Sequence, residues 1–392
     1  MKKLVLFLSA SILSMNVMLA QTQNEPTNAA TKLLNNSQGK LTIGGYGQID
    51  FNQNFGNGIR SNGNLDVHRL VMLFGYQFND RVDFVTELEF EHVKEVYVEQ
   101  AFIRYKLNDF MALRAGLLLI PMGIMNEYHE PTTYNGVERP NVASKIVPTT
   151  WREIGAGISG KFTDLGLKYQ LYLVNGLNGY NGVAKISGSG IRGGRQKGAE
   201  SYMSSPNLSF KLDYFGASHL KLGLAGYFGK TQSTLYNGID KNNNGLMMMA
   251  DSSVVNMSMI GLDLRYDNNG FSFRSALFLG SLGNTREYNA FTGSNTGSAM
   301  NGFYAEAAYD VLVNSNTPNG LTLFVRYENF NTQAKVEGNT VKEDKYAVEE
   351  IIAGVGYKIA DGVVLKSDFR FSKNKTQDKF SKQFNAGVAV WF

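Results

Sequence analysis

From residue 41 to Phe392, apolar and polar side chains alternate with period two, and this pattern restricts the fold more than any other feature. Leu41, Ile43, Ile49 and Phe51 are set against Thr42, Gln48, Asp50 and Asn52. Leu321, Leu323, Val325 and Tyr327 are set against Thr322, Arg326 and Glu328. Successive side chains of a strand point to opposite faces, so each run reads as a strand with one apolar and one polar face. Helical spacing of apolar residues is nowhere sustained. The chain is expected to be all-β.

About sixteen such runs begin near residues 41, 64, 82, 95, 110, 152, 166, 203, 219, 255, 271, 301, 320, 347, 363 and 382. Their connections are of two kinds. After even-numbered runs they are tight, as at Asn79-Asp80, Asn108-Asp109, Asn268-Asn269-Gly270 and Asp361-Gly362, residues that tolerate the positive φ of a short hairpin. After odd-numbered runs they are long and polar, as at 120–151, 176–200, 230–253, 284–299 and 332–345; the link at 92–94 is a short exception.

A soluble sandwich or solenoid would also alternate, with its apolar face turned to a core. An even strand number, short turns on one rim and long loops on the other instead describe an antiparallel transmembrane barrel. Closure pairs every backbone group, as the hydrocarbon layer demands. If the apolar face is the outside, rings should gather at the short-turn interface. Phe78, Tyr105, Phe162, Tyr214, Tyr266, Tyr309, Tyr357 and Phe392 all fall on apolar faces near the ends of even-numbered strands. The expected partner of this surface is a lipid bilayer.

The amino terminus reads as an address. Lys2 and Lys3, the apolar run Leu4 to Leu13, and Ala20 before a polar stretch describe a signal peptide over 1–20. A polar segment, 21–40, then precedes the barrel, 41–392. Cysteine is absent, which excludes a disulfide framework and thiolate metal sites. The formal charge of +4 falls by two without Lys2 and Lys3, and it gives no reason to expect nucleic acid.

The carboxyl-terminal run Phe384 to Phe392 alternates and stops on an aromatic residue, resembling the signal by which the outer-membrane assembly machinery recognises its barrels. A second likeness is more specific. Pro121-Met122-Gly123, Val137-Glu138-Arg139-Pro140, Ile146-Val147-Pro148-Thr149-Thr150-Trp151-Arg152-Glu153 and Ile154-Gly155-Ala156-Gly157 resemble the third-loop segment of the phosphate-selective porin O/P family. That resemblance implies a sixteen-stranded, usually trimeric diffusion channel in the outer membrane of a Gram-negative bacterium. It also implies an inward-folded third loop, here 120–151, that narrows the pore. Family members concentrate lysines on this loop, whereas this chain offers Glu127, Glu130, Glu138, Arg139 and Lys145. The expectation is therefore passive diffusion of small hydrophilic or ionic solutes with weak ion selectivity, and the alternative is phosphate or anion selectivity.

By parity the polar face carries thirteen basic and twelve acidic side chains, so the constriction decides selectivity. Arg69, Arg104 and Arg114 are expected there, facing Glu127, Glu130 and Glu138 across the opening. The competing expectation is ordinary wall pairs, such as Arg104 with Glu87 or Glu89. Arg274, Arg326 and Arg370 are expected along the pore wall. Asp240, Asn242, Asn244 and Asp251 match the spacing of a calcium loop around Gly245, the one cofactor the sequence suggests. Enzymatic activity is not expected; the alternative of another class is an outer-membrane barrel enzyme or adhesin. His68 falls on the apolar parity, His219 begins a strand, His92 and His129 lie at or in loops, and no serine is selected beside any of them.

Overall fold

The computed structural model describes residues 27–35, 40–56 and 61–392. The expected signal peptide, 1–20, lies outside them, as does part of the 21–40 segment. The sixteen strands are β1 (Leu41–Phe55), β2 (Asn64–Asn79), β3 (Val82–Glu91), β4 (Glu95–Asn108), β5 (Met111–Leu119), β6 (Arg152–Phe162), β7 (Leu167–Val174) and β8 (Asn207–Ala217). They continue as β9 (Leu220–Lys230), β10 (Asn256–Asn268), β11 (Phe271–Gly283), β12 (Ala299–Asp310), β13 (Gly320–Lys335), β14 (Ala347–Ala360), β15 (Val363–Asn374) and β16 (Ser381–Trp391). Each pairs antiparallel with its sequence neighbours, and β16 closes on β1 from Tyr46↔Trp391 to Phe55↔Lys382. Phe392 completes the seam, exchanging two backbone hydrogen bonds with Gly45 at 2.9 and 3.0 Å.

The alternation resolves with the apolar face outside. Leu41, Ile43, Ile103, Leu113, Leu222, Leu262, Leu323 and Val325 are exposed, while Asp50, Arg69, Asp83, Glu87, Lys211, Asp263, Arg326 and Lys366 are buried inside. A continuous apolar exterior over a closed ladder is the surface a bilayer requires. No helix among the described residues is long and apolar enough to cross a membrane; the strands do that. Of the eight expected interfacial rings, Phe78, Tyr105, Phe162, Tyr309 and Phe392 are exposed and Tyr214, Tyr266 and Tyr357 are half-buried on the same outer face. At the tight rim, Asn269 and Gly270 take φ of 45° and 80°, the left-handed conformation that their short turn requires.

The polar segment before the barrel contains a helix that the sequence reading did not anticipate. Helix α1 (Ala29–Asn35) packs on β1 and β2. Its Ala29, Ala30 and Leu33 are buried among Tyr46, Val71 and Leu73, inward residues near the short-turn end of the barrel. Leu33 fits where Gly44 and Gly75 leave room: a Cβ on Gly75 would lie 3.0 Å from it. Lys32 Nζ stands 4.9 Å from the Trp391 ring. Seven residues carry too short an apolar stripe to register as helical periodicity.

Candidate pore constriction

The connection between β5 and β6, residues 120–151, folds into the barrel. Its neck is closed by Asn126, which donates to the carbonyls of Ile120 and Trp151 at 2.6 and 2.9 Å and accepts the Trp151 N–H at 2.7 Å. Trp151 is wholly buried, 4.4 Å from the Tyr227 ring, and its indole N–H donates to Glu153 at 2.9 Å. Arg152 pairs with Glu99 at 2.5 Å. The Thr-Thr-Trp-Arg-Glu motif thus locks the point at which the chain rejoins the wall.

Within the lumen the loop is tied down by two sets of wall groups. Cations reach its carbonyls and carboxylate. Lys366 Nζ donates to the carbonyls of Pro131, Tyr134 and, at 3.0 Å, Gly136. Lys211 Nζ donates to the Gly123 carbonyl at 2.9 Å and to Glu127 at 2.7 Å. Arg326 donates to the Glu138 carbonyl at 3.2 Å, and Arg274 to that of Thr133. Carboxylates take the loop's donors: Asp368 accepts from Val137 N at 2.7 Å, Glu328 from Val142 N at 2.9 Å and Glu306 from Asn135 at 2.8 Å. Glu350 binds the Asn141 amide at 2.8 and 3.0 Å, and Glu87 lies 3.3 Å from His129. The loop's apolar residues Ile120, Met122, Val142, Ile146 and Val147 pack with inward-facing Met257, Met259, Phe278, Met300 and Phe330. Buried polar groups need such partners, and here they come from both the basic and the acidic wall residues.

The six expected constriction residues are placed as follows. Arg69 donates to Gln48 Oε1 at 3.1 and 3.2 Å and to the Tyr134 hydroxyl of the loop at 3.0 Å. Arg104 is a wall residue paired with Asp83 at 2.6 Å, and Arg114 donates to Tyr172 at 3.3 Å. Glu127 is bound by Lys211 and, at 2.6 Å, by Gln170. Burial pushes its carboxyl up, but Lys211 and Lys168 outweigh that and hold it at about 2. Glu130 is wholly buried with neither oxygen hydrogen-bonded, and burial raises its carboxyl above the usual range. Glu138 accepts from Asn52 at 3.4 Å. The expected facing of Arg69, Arg104 and Arg114 against Glu127, Glu130 and Glu138 is therefore corrected: the loop acids take partners on other strands or none. Of the expected wall arginines, Arg326 is buried between Glu306 and Glu328 at 3.2 and 2.9 Å, and Arg274 is committed to the loop.

This anchoring breaks the balance that parity suggested. Of the inward acids, Asp50, Asp83, Glu87, Glu89, Asp213, Asp263, Glu306, Glu328, Glu350 and Asp368 are buried, while Glu91, Asp310 and the loop's Glu138 keep part of their surface in solvent. Arg104, Arg114, Lys221, Arg274 and Arg370 keep part of their surface in contact with solvent. Burial, rather than count, decides which charges a passing ion meets. Nothing in the sequence distinguishes an anchoring carboxylate from a lining one.

Two further expectations are corrected. A bulge interrupts the β1–β2 register, where Gln48 pairs with Arg69 but Asp50 with Asp66. The extra residue in β2 reverses the parity, so His68 leaves the lipid-facing side and joins Asp66. The 240–251 stretch is helical over Asn244–Ser252 where the spacing suggested an open calcium loop. Asn243 caps helix α3 (Asn244–Ser252, after the one-turn helix α2, Val142–Lys145) by accepting from Leu246 N at 3.1 Å. Asn244 and Asp251 stand seven helical residues apart, about 10 Å along the axis at ~1.5 Å per residue. Asp251 accepts from Tyr236 at 2.7 Å, and Asp240 from Asn242 N at 2.9 Å. With Asn242 at the turn, the four do not surround one ion.

Three comparisons bear on this architecture. The chain is 31% identical over 383 residues, 93% of its length, to an uncharacterised protein of Aquifex aeolicus (strain VF5), covering 82% of that protein. No family model matches it. Among solved structures, OmpF of Salmonella typhi superposes with a TM-score of 0.57 at 12% identity, covering 90% of this chain and 97% of that one. The anion-selective porin of Comamonas acidovorans gives 0.55 at 11%, covering 90% and 99%. OmpT of Vibrio cholerae, an outer-membrane protein, gives 0.55 at 10%, covering 91% and 99%. At these identities the shared property is the β-barrel fold.

Proposed function

The chain belongs to one family with the Aquifex aeolicus protein, and we propose that it is an outer-membrane porin, a passive channel for small hydrophilic solutes narrowed by loop 120–151. One observation carries this reading: a closed barrel with an apolar exterior has the 120–151 loop hydrogen-bonded to the walls of its polar interior. Water and solutes pass between the loop and the partly exposed wall cations Arg104, Arg114, Lys221 and Arg370. Because most inward acids are buried while these cations stay partly exposed, the weak ion selectivity of the channel leans toward anions. Phosphate specificity is the alternative within the same class; block of chloride current by millimolar phosphate would favour it. A homotrimer follows from the resemblance of 116–160, and crosslinking in detergent tests it. Recording in planar bilayers tests the function: discrete conductance steps are expected, and a protein that inserts but passes no current overturns it.

A further inference from the structure

The long-loop rim of the barrel gathers three ligating side chains that the constriction does not use. His92 Nδ1 lies 2.5 Å from Asp66 Oδ2, and His68 Nδ1 lies 3.7 Å from the same oxygen. One ligand atom from each of the three falls within 4.8 Å of the others, and among the described residues no other group of three or more His, Cys, Asp or Glu meets this condition. The imidazoles meet edge to face with centroids 5.4 Å apart. Two backbone irregularities put them there. The β2 bulge turns His68 to the side of Asp66. The β3–β4 turn holds His92 and Val93 at φ of 53° and 63°, a conformation that a β-branched residue adopts only when its surroundings impose it. The His92 N–H reaches the His68 carbonyl at 3.3 Å, joining the turn to the bulge.

We propose that Asp66, His68 and His92 bind one divalent transition-metal ion of the zinc class at the mouth of the channel. Two imidazoles and one carboxylate suit Zn²⁺, Ni²⁺ or Cu²⁺ and leave coordination positions for water, whereas calcium takes oxygen ligands. The side chains are 21%, 21% and 46% exposed, so an ion reaches them from solvent. Glu91, 3.9 Å from His92 Nε2, adds attraction, and Arg69 and Arg139 near His68 oppose it.

The test is calorimetric titration of the full-length, tag-free protein in detergent with Zn²⁺ and, separately, Ca²⁺. One Zn²⁺ per chain and no calcium heat are expected. His68→Ala with His92→Ala should weaken binding at least about tenfold. Asp66→Asn, which keeps the side-chain shape, should do likewise, and slower migration on boiling confirms that each variant is folded. No zinc binding by the native protein, or binding by the variants equal to native, overturns the site. The readout is independent of conduction, so its failure is distinguishable from failure of the porin reading.

Discussion

Lys366→Met is the sharpest perturbation of the constriction. The ammonium of Lys366 spends all three of its protons on loop carbonyls, those of Pro131, Tyr134 and Gly136, and stands 4.2 Å from the Tyr134 ring. Methionine keeps the unbranched apolar stem, one atom shorter, and removes the donors. At about 1.5–3 kcal/mol for each hydrogen bond to a charged group, the three total about 4–9 kcal/mol if the carbonyls stay dry. They need not stay dry, because the loop can lift and hydrate them; the lower figure then measures how much more readily it lifts. About 4 kcal/mol corresponds to about a thousandfold rise in the open population, at ~1.4 kcal/mol per decade. The barrel ladder is untouched, so heat-modifiable migration should persist. Chymotrypsin, to which buried Tyr128 and Tyr134 are closed, should cut the variant within the loop, and unit conductance should rise. Native resistance together with native conductance would refute the argument that Lys366 holds the constriction.

Two other substitutions probe the same network. Lys211→Met leaves Glu127, Asp213 and Asp263, which lie 2.7, 3.5 and 3.6 Å from the ammonium, without it. Removing one member of a buried ion pair costs about 3–5 kcal/mol, which should appear as a lower thermal midpoint in detergent. Glu130→Gln acts in the opposite sense. The Glu130 carboxyl is raised by burial, so its contribution to stability is complete below its unfolded value and is lost as pH rises through the folded one. Glutamine should thus stabilise the protein by about 1–3 kcal/mol at pH 8 and by little at pH 4, read from paired thermal melts. Glu127, held at about 2, contributes above its unfolded value and should keep its anchor until pH falls toward 2.

The barrel was legible because lipid imposes a global rule: outward apolar, inward polar, every second residue. Strand starts expected at 41, 64, 82, 95, 152, 271, 320, 347 and 363 coincide with the observed ones, and those at 110, 166, 219, 255 and 382 fall within a residue, for that reason. The third loop's place was legible from its motif and ordinal position. What escaped were features set by local geometry rather than by period. One inserted residue in β2 re-aimed His68, and no composition signal marks such an insertion. The helix Ala29–Asn35 is too short for its stripe to stand out. Above all, parity says which way Glu328 or Asp368 points but not that Val142 N and Val137 N will be waiting there. The spacing around Gly245 did not reveal that Asn243 caps a helix, a use of asparagine that spacing alone cannot separate from ligation.

The most direct measurement is the zero-current potential of the reconstituted protein across a tenfold KCl gradient at low salt. An ideally selective pore would give about 60 mV, since ~1.4 kcal/mol of gradient is balanced at ~2.3 kcal/mol per 100 mV. Buried acids and partly exposed Arg104, Arg114, Lys221, Arg274 and Arg370 predict a potential of anion-selective sign, well short of that limit. It should shrink as the Debye length falls from ~10 Å at 0.1 M to ~3 Å at 1 M. A cation-selective sign, or membranes that carry the protein without conducting, would contradict the account.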